Sequence, residues 1–434
     1  MIKKLFIAGF ALLSTITSLS AQTIQVDFPH FAGKEYRYLL DHGDKKDTIA
    51  SGKLDASGKA TLVLPLSKKG YAGLSHFLIR EGAGFEFIVN NENFTVSCPD
   101  EQPSMENIKY TVSAENSFLV GRILKQKSIL EKAGVVQFAL KTYKKEEPLY
   151  PALEKEKLNL DQQFTALKSE TTKSTLYSAR FAEIYDFLSG VGSSLDQTEE
   201  VKAKEMNAFV TDKMDMGALY TSSLWGPAIE SWSQLQQNVI KDDAVWLQDT
   251  KKIFTRIKNN GVYTAFAEKM VAVLSKAGKD DMVTAIGEYV KKSGRIENPG
   301  QNLQYAITGP IKVAPVLQTA TGKKAIKNKT LLFFFESGCN NCENEIHQLI
   351  GNYQVLKDKG YEVITVSADL TANAGDGHNH EFPWKEQLCD FKGFTGINFK
   401  NYGVIGTPTF FIVDAKGKIS GGPYARLIDT NILK

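Results

Sequence analysis

From Thr23 to Val112 the chain alternates apolar and polar residues with a period of two, in short runs. Leu62, Leu64 and Leu66 alternate with Thr61, Val63 and Pro65; Phe85 and Phe87 flank Glu86; Phe94, Val96 and Cys98 alternate with Thr95 and Ser97. Turn-forming clusters, Asp55-Ala56-Ser57-Gly58 and Asn90-Asn91-Glu92-Asn93, separate the runs, which predicts strands joined by tight turns. The expectation for 22–112 is a small antiparallel β-sandwich. Cys98 shares a face with Phe94 and Val96 and reads as an inert core thiol.

Near Glu115 the period changes. Tyr177, Phe181, Ile184, Tyr185 and Leu188 fall at offsets 0, 4, 7, 8 and 11. Trp246, Thr250, Ile253, Phe254 and Ile257 repeat those offsets, as do Phe266, Met270, Val273, Leu274 and Ala277. Such stripes are the core faces of packed helices, and Gly261 and Gly278 stand where helix C-termini prefer glycine. An all-α domain is expected over 113–296. Asn298-Pro299-Gly300 and Gly309-Pro310 mark a linker over 297–309.

Strand and helix then alternate. Leu331 to Phe335 is an unbroken apolar strand, Cys342 to Leu356 reads as helix, Glu362 to Ser367 as strand, Trp384 to Phe391 as helix and Phe410 to Val413 as strand. An apolar run with no polar alternation predicts a parallel sheet covered on both faces. The last part, 310–434, is therefore α/β, in a multidomain chain.

Composition changes this picture in two ways. Four cysteines in 434 residues are too few for a disulfide-stapled scaffold. Lys and Arg number 52 against 49 Asp and Glu, so no electrostatic case exists for nucleic acid or an anionic membrane. Residues 1–21 combine Lys3-Lys4, an apolar run from Leu5 to Leu13 and a small-residue end, Ser18-Leu19-Ser20-Ala21. That is the layout of a secretory signal peptide, too short in its apolar part to span a bilayer. Its removal leaves 434 − 21 = 413 residues. The mature chain is expected to be soluble, exported to the periplasm and not inserted in the membrane.

The candidate chemistry lies where the buried strand hands over to a helix, at Glu336-Ser337-Gly338-Cys339-Asn340-Asn341-Cys342. A thiolate is the nucleophile of disulfide exchange, and the free N–H groups and dipole of a helix N-terminus lower a cysteine pKa from ~8.5. Cys339 receives that help. Cys342 follows one turn later on the same face, placed to attack a mixed disulfide formed at Cys339. A zinc site would need two further ligands, and no second Cys-x-x-Cys or His pair stands at a suitable spacing; no metal and no cofactor is expected. Gly406-Thr407-Pro408-Thr409 supplies the other half. A proline opening a strand suits a special turn with a cis bond. There Pro408 would lie against the sulfurs, and the Thr407 backbone would be free to pair with a bound polypeptide.

In that order, the two motifs make 310–434 resemble the thioredoxin-like modules of the TlpA/ResA group, exported disulfide oxidoreductases. Ala314-Pro315-Val316 with Thr321-Gly322-Lys323 resembles the group's opening segment. The stretch from Thr371 to Phe399 resembles its strand-helix insert. The resemblance implies protein substrates with disulfides and a membrane thiol donor. Three features depart from it. Gly338 stands where many members have Trp, Phe333 stands where thioredoxins bury an acid, and Asn340-Asn341 matches neither familiar dipeptide. Cys389, with Trp384 and Phe391, reads as a core or boundary thiol, His378-Asn379-His380 as a solvated loop and His347 as a surface residue. A Cys98–Cys389 bridge is not expected. The functional expectation is a thiol:disulfide oxidoreductase, mostly a reductase. The alternative is a non-catalytic envelope binding protein with a redox-sensitive thioredoxin-like module.

Overall fold

The computed structural model describes residues 22–80, 83–309, 312–371, 380–404 and 406–434. The signal-peptide expectation, on residues 1–21, lies outside them. The chain divides into two compact units after Leu235. Among the described residues no helix is long and apolar enough to cross a membrane.

The described residues of the first unit open with eight strands: β1 (Thr23–Asp27), β2 (Glu35–His42), β3 (Lys45–Lys53), β4 (Lys59–Val63), β5 (Ala72–Ile79), β6 (Gly84–Asn90), β7 (Phe94–Ser97) and β8 (Lys109–Thr111). They form two four-stranded sheets, in the orders β4-β1-β7-β8 and β3-β2-β5-β6. Both sheets contribute to one core, with Ile24, Val26 and Val96 from the first and Tyr38, Phe77 and Phe87 from the second. Cys98 is buried in that core. The expected all-antiparallel pairing needs a correction, because β1 and β7 run parallel. Alternation reports which face is buried and carries no information on strand direction.

Among the described residues six α-helices follow in the unit: α1 (Ala114–Thr142), α2 (Tyr150–Lys173), α3 (Tyr177–Leu188), α4 (Glu199–Ala208), α5 (Met216–Tyr220) and α6 (Trp225–Leu235). A buried polar cluster ties the first three together. Asp186 of α3 accepts hydrogen bonds from Arg122 and Gln126 of α1 and Lys168 of α2. Arg122 Nε also donates to Thr171 Oγ1 at 2.8 Å. Removing one partner of a buried pair strands the other charge, at a cost of about 3–5 kcal/mol. Asp186→Ala is expected to lower unfolding free energy by that amount in urea titrations. A loss below about 1 kcal/mol would show that Arg122 is not held by Asp186.

The second unit starts with α7 (Asp243–Arg256), α8 (Asn260–Lys276), α9 (Asp280–Ser293) and α10 (Gln301–Thr308). Asp242 and Asn259 cap α7 and α8 by accepting backbone N–H groups, as these residue types favour. α10 occupies what the sequence suggested was linker. Its Leu303 and Ala306 are buried, and it packs on α8 and α9. A Cβ at Gly287 of α9 would stand 2.0 Å from the Ala306 carbonyl oxygen, so a glycine there permits the contact. Eight residues flanked by glycines, with only Leu303 and Ala306 turned inward, are too short a run to announce a helix.

The remainder holds β9 (Leu317–Thr319), β10 (Gly322–Lys324), β11 (Thr330–Phe335), α11 (Asn340–Gly351), α12 (Tyr353–Asp358), β12 (Glu362–Ser367), β13 (Glu386–Leu388), α13 (Ile397–Tyr402), β14 (Thr409–Val413) and β15 (Ile419–Tyr424). Five strands make one sheet in the order β13-β12-β11-β14-β15. The sheet is mixed, correcting the parallel expectation: β11 pairs parallel to β12 and antiparallel to β14. Apolar strands signal cover on both faces, and that cover is present. Leu331, Phe333 and Phe335 pack with Cys342, Ile346 and Leu349 on one side; Leu332 and Phe334 pack with Phe399 and Tyr402 on the other.

Trp384 to Phe391 is not a helix. Trp384 is buried and its indole N–H donates to Thr365 Oγ1 at 3.1 Å, while Gln387 and Leu388 pair with Thr365 and Val366 at the sheet edge. Trp384, Leu388 and Phe391 have helical spacing, yet Phe391 is exposed with φ of 55°. The open edge of β12 captures the segment instead.

Candidate active site

The site is built at the C-terminal end of β11. Ser337 donates its backbone N–H and its hydroxyl to the Asp369 carboxylate, at 3.0 and 2.8 Å. Gly338 follows with φ of +77°, a conformation that a residue with a Cβ rarely adopts. That geometry accounts for glycine where many thioredoxin-like proteins carry tryptophan. Its N–H donates to Glu343 Oε1 at 3.1 Å.

Cys339 is the N-cap residue of α11, and its carbonyl accepts from the Glu343 N–H at 2.9 Å. Its side chain is half-buried, whereas Cys342 is fully buried. Both are free thiols. Burial pushes the Cys342 thiol up to about 11; a backbone hydrogen bond at Glu336 and the Thr407 side chain oppose the rise, and the neighbouring Cys339 adds to it. The contact with Thr407 brings the second motif to the first. Register explains the approach: β14 is antiparallel to β11 with Thr409 opposite Phe334, so Thr407 and Pro408 lie at the end of β11 that leads to Cys339. The Thr407–Pro408 bond is cis.

The acid position is filled by Phe333, fully buried and stacked on Phe410 with centroids 4.3 Å apart. Glu336 is exposed. Glu343 is nearly buried and engaged elsewhere, one oxygen on Gly338 and the other on His380 Nε2.

Residues 317–421 match the AhpC/TSA family. The C-terminal region is a thioredoxin-like domain of the TlpA/ResA type. Thiol-disulfide oxidoreductase ResA of Bacillus thuringiensis subsp. konkukian is 35% identical over 97 residues, 22% of this chain and 55% of that protein. ResA of Bacillus anthracis is 33% identical over the same length. The chain thus spans about half the length of these curated relatives. Among solved structures, a thiol-disulfide oxidoreductase from Bacteroides fragilis is 23% identical, with 28% of this chain and 97% of that one covered and a TM-score of 0.24. The thioredoxin domain of a Bacteroides vulgatus thiol-disulfide oxidoreductase is 25% identical, with 27% and 92% covered and a TM-score of 0.24.

In the thioredoxin-like domain Asp369 carries no sequence signal, and Cys389 and His380 differ from expectation. Asp369, which fixes Ser337, follows β12 with no motif to mark it. Cys389 needs a correction: it is exposed, with its sulfur 3.7 Å from the Asp369 carbonyl oxygen, because the helix that would have turned it inward does not form. His380 is also corrected. It is largely covered and paired with Glu343, while His378 and Asn379 lie outside the described residues. Cys98 and Cys389 are both free thiols.

Proposed function

We propose that the chain is an exported thiol:disulfide oxidoreductase, acting mainly as a periplasmic reductase of protein disulfides through Cys339 and Cys342, with 310–434 as its catalytic part. The observation that carries this reading is the asymmetry of the dithiol, a reachable Cys339 beside a buried Cys342. The Cys339 thiolate attacks one sulfur of the substrate disulfide, forming a mixed disulfide and releasing the other sulfur as a thiolate that takes a proton. Cys342, once deprotonated, attacks the Cys339 sulfur. The Cys339–Cys342 disulfide forms, the second substrate thiol leaves, and the protein has given two electrons. A membrane thiol donor returns them. Thr407 and Pro408 would line the groove that receives the substrate backbone. The names of the ResA relatives support this assignment.

Cys342→Ser is expected to stop the sequence at the first step. Incubation with exported proteins should give covalent adducts on Cys339 that dithiothreitol releases, identified by mass spectrometry. Failure to form any adduct, with Cys339 still alkylated by iodoacetamide, would favour the non-catalytic binding role for the 22–296 region.

A further inference from the structure

We propose that Glu343, His347 and His380 form a binding site for a divalent transition ion of the Zn²⁺ class, separate from the two sulfurs. Glu343 and His347 lie four residues apart on α11, so they project from one face of the helix. His380 reaches the same place from the segment ahead of β13, and its Nε2 meets the Glu343 carboxylate. The His347 and His380 rings meet edge to face, centroids 5.0 Å apart and planes at 87°. One donor atom from each of the three residues lies within 4.8 Å of the other two. Around a tetrahedral ion with bonds of ~2.0–2.1 Å, donor atoms stand about 3.4 Å apart, a difference that small side-chain rotations close.

The donor chemistry selects the ion. Two imidazoles and one carboxylate suit Zn²⁺ and its neighbours, while Mg²⁺ and Ca²⁺ take oxygen ligands. Three protein ligands leave a fourth position for solvent, and exposed His347 gives access to it. The carboxylate is already oriented, since Glu343 Oε1 accepts from the Gly338 N–H at 3.1 Å, and such outer partners commonly fix a ligand in a metal site. The partly buried Phe382 ring beside His380, at 6.1 Å between centroids, adds an apolar wall. An ion held here would sit one hydrogen bond from the turn that carries Cys339.

The test uses the full chain with Cys339→Ser and Cys342→Ser combined, so the redox thiols cannot ligate and the outcome does not depend on the proposed reaction. Calorimetric titration should show one Zn²⁺ per chain. Bound Co²⁺ should show d–d bands without thiolate-to-cobalt charge transfer. His347→Ala, at an exposed position, and His380→Ala should each weaken Zn²⁺ binding by more than about 100-fold, beyond the 10–100-fold typical of an outer-shell partner. Circular dichroism confirms that each variant is folded. The proposal fails if the serine background binds no Zn²⁺, if both histidine variants keep its affinity, or if Co²⁺ shows a thiolate band.

Discussion

Replacing Cys339 by serine is expected to bring insulin reduction by dithiothreitol down to the rate of dithiothreitol alone, a loss of order 10³-fold or more, as for other removed nucleophiles. Accessibility argues for this size of effect. Cys342 has no exposed surface, so an incoming disulfide meets only the half-buried sulfur at the start of α11. Serine keeps the shape of the N-cap and often improves it, which separates lost chemistry from lost fold. The Cys339→Ser protein should therefore unfold at the parent's denaturant midpoint or above it. Full activity in this variant would mean that Cys342, or exposed Cys389, is the attacking thiol.

Release of the mixed disulfide is expected to quicken about tenfold for each pH unit between pH 7 and 9. Cys342 must lose a proton before it attacks, and burial pushes its thiol up to about 11. Across that range the thiolate fraction of such a group rises tenfold per unit. The contribution of Cys339 to the shift disappears in the mixed disulfide, but burial is the larger cause and persists. Among the described residues Phe333 fills the acid position, Glu343 is committed to Gly338 and His380, and Glu336 is exposed to solvent. Stopped-flow release of thionitrobenzoate from Cys339, with a chelator present, measures the profile. Phe333→Asp should flatten it and raise the rate at pH 7. The variant should also lose at least about 3–5 kcal/mol of stability, because a buried ring stacked on Phe410 is removed. A flat profile in the parent protein would reveal another base.

Much of the fold was legible where burial is one-sided or complete. The stripe from Tyr177 to Leu188 coincides with α3, and Glu362 to Ser367 coincides with β12. The apolar pattern places both elements, although Tyr185, on the stripe expected to face the core, is exposed. The misreadings share a cause of a different kind. Strand direction in β1–β7 and β11–β14, the capture of Glu386–Leu388 by a sheet edge, and the docking of α10 all depend on partners far along the chain. The Cys339–Cys342 pair and the Thr407–Pro408 dipeptide could be singled out as candidates because each is a local motif. The approach of His380 to Glu343 was not, since 37 residues separate them and no period links a loop to a helix face.

The unbroken apolar character of β11 bears on where Cys339 comes to lie. In a strand with one wet face, a slip of one residue turns polar groups inward and is rejected on polarity alone. From Leu331 to Phe335 both faces are apolar and buried, so polarity barely distinguishes the correct alignment from its neighbours. Yet a slip of one position would carry Cys339 about 3.3 Å along the sheet, away from Thr407. Alignment must then rest on steric fit, above all the parallel stacking of Phe333 on Phe410, whose planes differ by 9°, and on the Ser337–Asp369 clasp that anchors the strand's exit. The aromatic side chains act as a gauge that fixes the reach of the Cys339 sulfur.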